Sequence, residues 1–162
     1  MTGAPVAAVA TVPETSDGAG APPARRRAAP HAPIDSATVL SPTEVTASKL
    51  VRADDAYLEG HYPDMTVYPG VFLIESVHEA VIHFVRETHG ENVVPELALL
   101  DSVRFTTALR PGDLLEVHCT CLPAENDLLA VTAVCTSGSA RAALIKAEFR
   151  LVAGIPEVGT HA

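Results

Sequence analysis

The sequence predicts an α+β domain: one antiparallel sheet curled around a single long central helix. Three observations lead there. Residues 71–88 form an almost unbroken apolar stretch with room for about five helical turns. Four β-like runs follow it, parted by short segments of turn chemistry. The helix is also apolar on nearly every face, so it must be enclosed, and a sheet lying flat against it would leave half of it wet.

Each element carries its own signal. Residues 1–33 are rich in Ala, Pro and Gly and have neither helical nor strand period; they bury too little to offset their ordering entropy and read as a disordered tail. The domain is expected over 34–156, with 157–162 a flexible C-terminus. "TEVTASKLVRA" (43–53) is β-prone and partly alternating, which predicts a strand. An elbow rich in glycine and proline, "GHYPDMTVYPG" (60–70), leads into the helix. Pro69 and Gly70 fall at its first turn, where a proline's missing N–H costs nothing. Gly90 supplies the stop. The later strands are expected over 96–109, 113–122, 128–136 and 140–153, the last three as consecutive antiparallel neighbours joined by "PAEND" and "TSGS".

Composition narrows the function classes. The 162 residues are 48% hydrophobic, enough for a real core, but only 4% aromatic with no Trp, so the core must come from Val, Leu, Ile and Ala. No apolar run approaches the roughly 20 residues of a membrane span. The net charge is −9, and setting aside residues 1–33, with three Arg and two acids, leaves −10. Such a domain lacks the clustered cations that phosphate contacts need, so no nucleic-acid partner is expected. Cys119, Cys121 and Cys135 are an odd set without a scaffold pattern, and read as core or strand-surface thiols in a reducing, cytoplasmic setting.

The chemistry sits where the elbow meets the helix. Glu75 lies about one turn into the apolar helix, where burial favours the protonated acid, able to give a proton. His61 stands on the proline-stiffened elbow, and a neutral imidazole takes a proton near pH 7. A base on a stiff loop facing an acid on a buried helix suits removal of a proton and a hydroxide across one bond. Free backbone N–H groups near Gly70 and Val71 are placed to hold a carbonyl as negative charge builds on it. "ESVH" (75–78) has the E-x-x-H form of di-iron sites, but these need a second motif and further carboxylates, so no metal is expected. His78 and His83 are expected at the surface or an interface.

These residues resemble a known family. "GHYPDMTVYPGVFLIESV" is similar to the signature of the bacterial 3-hydroxyacyl-[acyl-carrier-protein] dehydratases, with Gly60, His61, Pro63, Pro69, Gly70, Val71 and Glu75 matching and Tyr62 replacing a phenylalanine. "LLDSVRF" (99–105) and "RPGD" (110–113) fit the strand and turn that follow. Thr66 stands for a usual proline and Glu79 for a common glutamine. The resemblance implies a hotdog fold. It implies a dimer whose sites form between subunits, His61 of one chain facing Glu75 of the other. Its substrate would be a 3-hydroxyacyl thioester on the phosphopantetheine arm of acyl carrier protein, converted to a trans-2-enoyl thioester without a further cofactor. His61 would take the C2 proton, Glu75 would protonate the leaving hydroxyl, and the Gly70 N–H would polarise the thioester carbonyl. Val71, Tyr62 and Pro69 would complete the substrate site.

The setting is fatty-acid synthesis or, on the strength of the departures, polyketide or polyene assembly. Two other functions compete: a hotdog acyl-thioesterase using Glu75 to activate water, and a non-catalytic or half-site subunit. The assembly is expected to be a homodimer, a heterodimer with a related hotdog chain, or a higher assembly of dimers.

Overall fold

The computed structural model describes residues 31–154 apart from 56, 57, 59, 60, 62 and 63. Expectations for the tail up to residue 30, for Gly60, Tyr62 and Pro63, and for the C-terminus beyond 154 lie outside the described residues. The elements in chain order are β1 (Ser36–Ser41), β2 (Glu44–Leu50), α1 (Gly70–His89), β3 (Val93–Phe105), β4 (Leu114–Pro123), β5 (Leu128–Ser137) and β6 (Ala140–Ala153). The six strands form one sheet in the order β1-β2-β4-β5-β6-β3, every pairing antiparallel.

The meander β4-β5-β6 follows directly from alternation. Leu115, Val117, Cys119 and Cys121 face inward from β4; Leu129, Val131, Ala133 and Cys135 do so from β5. The residues between them face solvent, as the period of two requires. Asn126 and Asp127 both have positive φ in the β4–β5 connection, a conformation their short polar side chains tolerate and a two-residue hairpin favours.

Two strands depart from the sequence reading. The expected strand at 43–53 is the second arm of a hairpin. Its first arm, β1, was hidden because "SATVLS" buries no residue fully and has no clean apolar alternation. The strand expected to run to residue 109 stops at Phe105, after bulges between Leu97 and Leu99 and between Leu100 and Ser102. β3 tolerates Pro95 because it is an edge strand.

Helix α1 lies in the curl of the sheet and buries Leu73, Val77, Ala80, Val81, Phe84 and Val85. Phe84, 1% exposed, contributes about 2–3 kcal/mol by leaving water. One chain encloses only this face, however. Val71 is 56% exposed and Glu75 is also exposed, so the all-round burial expected of the helix is not reached within a single chain. His78, expected at the surface or an interface, is half-buried and joins α1 to β3: its Nε2 lies 3.1 Å from the Pro95 carbonyl oxygen, and its ring meets Phe149. Among the described residues, no helix is long and apolar enough to cross a membrane.

Residues 31–33, read from the sequence as the end of the tail, pack on α1. Ser76 Oγ lies 2.7 Å from the Pro33 carbonyl oxygen and 2.8 Å from that of Phe72, as donor to both. The His31 ring stacks on Phe72 with centroids 4.1 Å apart. Two residues on, Asp35 receives the buried Lys49 ammonium at 2.9 Å and the Leu50 N–H at 2.7 Å. Burial pushes the Asp35 carboxyl up, but these partners together hold it below its ordinary 3.8.

Candidate active site at the start of the helix

The elbow between β2 and α1 is built inward from its ends. Arg52 and Asp54 pair at its exposed start. The Leu58 N–H donates to the Asp55 carbonyl, and the Leu58 side chain is buried. Val67, Tyr68 and Pro69 are buried as well, so the elbow's second half is held by apolar contact. The Tyr68 N–H donates to the Leu109 carbonyl oxygen at 2.8 Å. That bond ties the elbow to residues 106–109, the stretch that β3 gave up. The "RPGD" turn is fastened to the end of β2 by Gly112 N–H to Val51 O and Val51 N–H to Asp113 O.

Between these two segments lies a cleft of about 580 Å³. His61, Val67, Tyr68, Pro69, Gly70, Val71 and Leu73 form one wall, and Phe105 to Leu109 the other. His61 is exposed to it. Helix α1 begins at the same place, after Pro69, with no side-chain cap and no acid in its first turn. The first N–H groups of a helix have no intrahelical partner, and Gly70 and Val71, which stand at that start, line the cleft. Their partial positive charge suits an oxygen that gains negative charge. Glycine at 70 also lets the Phe105 ring close against the helix start.

The structure thus brings His61, Pro69, Gly70 and Val71 together, as the sequence suggested. Glu75 is not among the residues lining that cleft. It sits on the exposed stripe of α1, one turn beyond Val71, so the side chain expected to be sunk in the core faces outward. The reason is the curl of the sheet, which covers the opposite face of the helix. Tyr62 lies outside the described residues.

Sequence reasoning missed two parts of this region. The wall at 106–109 was read as the end of a strand. His31 was read as tail, although it lies over the first turns of α1. Burial lowers the His31 pKa below its ordinary 6.5; Asp55 and Glu75 oppose that, and Lys49 adds to it. Burial also raises the Tyr68 phenol to about 12, against the influence of the Ser76 hydroxyl. No group of three or more His, Cys, Asp or Glu side chains is placed to hold a metal ion among the described residues.

A curled six-stranded antiparallel sheet around one helix, with its cleft at the helix start, is the hotdog fold. Solved structures agree in fold. The fluoroacetyl-CoA thioesterase FlK is similar with a TM-score of 0.58 at 15% identity, over 68% of this chain and 85% of that one. The dehydratase heterocomplex ApeI:P from Xenorhabdus doucetiae is similar with a TM-score of 0.51 at 17% identity, over 73% and 95%.

Sequence relatives are more specific. The 3-hydroxyacyl-[acyl-carrier-protein] dehydratase FabZ of Pseudothermotoga lettingae is 35% identical over 83 residues, 51% of this chain and 59% of that protein. The FabZ of Lactobacillus helveticus is 33% identical over 89 residues, 54% and 60%. The chain therefore spans about three fifths of the length of these curated relatives. The model of the ApeI-like family, described as ApeI dehydratase, matches residues 37–141. The chain belongs to the ApeI-like dehydratase family.

Proposed function

We propose that this protein removes water from a 3-hydroxyacyl thioester carried on the phosphopantetheine arm of acyl carrier protein, giving the trans-2-enoyl thioester. The observation that carries this reading is the placement of His61 in one cleft with the uncapped start of α1. The thioester carbonyl lies against the Gly70 and Val71 N–H groups, which favour the enolate-like charge that forms when C2 loses its proton. His61 accepts that proton. The C2–H electron pair becomes the C2=C3 double bond, the C3–O bond breaks, and the oxygen departs as water with a proton from Glu75.

The two groups come from different subunits. Glu75 lies outside the His61 cleft of its own chain, and the edge strand β3 presents Val94, Leu97, Leu99, Leu100 and Phe105 partly exposed. An edge strand with such a surface calls for a second hotdog chain, either a copy of this one or a relative. The three free, buried cysteines fit a reducing, cytoplasmic setting. Fatty-acid and polyketide or polyene assembly both present such thioesters, and the chemistry is the same in either. No metal or organic cofactor takes part in this scheme.

The test is incubation of the purified protein with a 3-hydroxyacyl carrier protein, followed by mass. Loss of one water from the acyl group is expected. Release of a free carrier thiol would replace this reading with a thioesterase. Activity that arises only after a second hotdog chain is added would make this chain half of a site.

A further inference from the structure

We propose that residues 31–35 form a strap that sets the acyl length the cleft accepts, by holding the Tyr68 ring in place as the cleft's closed end. The identity of the substrate rests on the dehydratase reading. The placement of the ring stands on its own contacts.

The cleft is graded from mouth to end. His61, Val71 and Phe105 to Ala108 are exposed, whereas Val67, Tyr68, Leu73 and Leu109 are buried. An acyl chain that extends inward from a carbonyl at the helix start meets the buried group, where its apolar surface leaves water. Tyr68 is the largest side chain of that group and is 3% exposed. Burial raises its phenol to about 12, so this end of the cleft carries no charge near neutral pH.

Behind Tyr68 stand two rings that do not line the cleft. The Phe72 ring lies 5.4 Å from it and the His31 ring 6.4 Å, and these two stack at 4.1 Å. Phe72 is fixed by the helix start, its N–H donating to the Pro69 carbonyl oxygen at 2.9 Å. His31 is fixed by the strap. The Pro33 carbonyl oxygen accepts from Ser76 Oγ at 2.7 Å, Ile34 packs on the core, and the Asp35 N–H donates to the Ser48 carbonyl oxygen at 2.7 Å. With its own N–H bonded to Leu109, Tyr68 deepens the cleft only by turning its ring toward Phe72 and His31. In a close-packed interior a ring yields only where its neighbours leave room. His31 is thus a positioning residue, and a strap outside every strand and helix decides how far the cleft runs.

The experiment measures kcat/KM of the full chain over saturated 3-hydroxyacyl carrier thioesters of increasing length. In parallel, calorimetry follows the binding of saturated acyl-pantetheine amides of the same lengths, which are neither dehydrated nor hydrolysed. Selectivity is read as the ratio of a longer chain to the shortest, so a general loss of activity cancels. The wild type is expected to fall off sharply beyond one length. Y68A is expected to raise the ratio at the first excluded length about tenfold, with Y68L in its place should Y68A fail to fold. H31A is expected to raise it about threefold, and H31F, which keeps a ring on Phe72, to restore the wild-type ratio. A wild type without a length limit overturns the proposal, as does a limit that Y68A and Y68L leave unmoved. A limit that moves in the Tyr68 variants but not in H31A overturns it too, whatever H31A does to the melting temperature. Amide binding that shifts as expected in a protein that dehydrates no carrier thioester supports the strap and removes the dehydratase reading instead.

Discussion

The ring of Phe105 lies so close to Gly70 that a β-carbon added there would stand 2.8 Å from Cζ. Edge strand and helix start are thus in contact at the point where the cleft begins. Gly70→Ala pushes the ring aside, and because Phe105 is half exposed the ring has room to yield. Destabilisation of about 1–2 kcal/mol is expected, together with a larger loss of kcat/KM, since the displaced ring narrows the cleft. Adding Phe105→Ala should recover most of the stability. A denaturation series on the single and double variants measures both effects, and a double variant no more stable than G70A would break the link.

The site is expected to be shared between chains. His61→Ala and Glu75→Gln should each abolish dehydration while shifting stability by less than about 0.5 kcal/mol, because both side chains are exposed. When the two inactive proteins are unfolded together and refolded, half of the dimers carry one intact site, so about a quarter of wild-type activity should return. Refolded mixtures that stay dead would place both groups in one subunit or neither in the site.

The segment at residues 31–35, which packs on α1 and β2, should loosen in acid. Asp35 is held below its ordinary value in the fold, so its contribution is fully present above pH 3.8 and disappears as pH falls through the lower folded value. Asp35→Asn should flatten the acid limb of a stability-against-pH curve below about pH 4 and leave stability near pH 7 lower than in the wild type. An acid limb identical in both proteins would exclude the pairing with Lys49 as its source.

The three thiols should be inert in the native state. Burial raises Cys121 and Cys135 to about 12 and Cys119 well above its ordinary 9.0. Thiolate is the reactive form, so a colorimetric disulfide reagent at pH 8 should label none of them until denaturant is added. The same shifts favour the fold below pH 9 and weaken it above, as the unfolded chain ionises first. Rapid labelling of the folded protein would contradict this placement of β4 and β5.

Much of the fold could be read from the residues because alternation and burial coincide. In β4, β5 and the middle of β6 every second side chain enters the core, and turn chemistry separates the strands. The helix bounds emerged within a residue because Pro69 and Gly90 mark them physically. β1 stayed hidden because a half-wet edge hairpin needs no apolar alternation. The exposure of Glu75 was misjudged because a helical wheel shows which faces are greasy, not which face a curved sheet will reach. His31 and Pro33 escaped notice because their contacts are made by a ring and a backbone carbonyl, inside a stretch whose composition resembles a tail. The cleft wall at 106–109 left no trace, since "TTAL" continues a strand pattern that two bulges bring to an early end.

One bond behind the cleft, from the Tyr68 N–H to the Leu109 carbonyl, joins backbone to backbone, and the Thr106 hydroxyl is spent on the Arg141 carbonyl oxygen, so neither tie uses the side chains of Thr107 and Ala108. Evolution can therefore retune what enters the mouth by rewriting two neighbouring residues, while the proton-handling elbow stays where it is. A chain so built separates the question of which acyl group is admitted from the question of what is done to it.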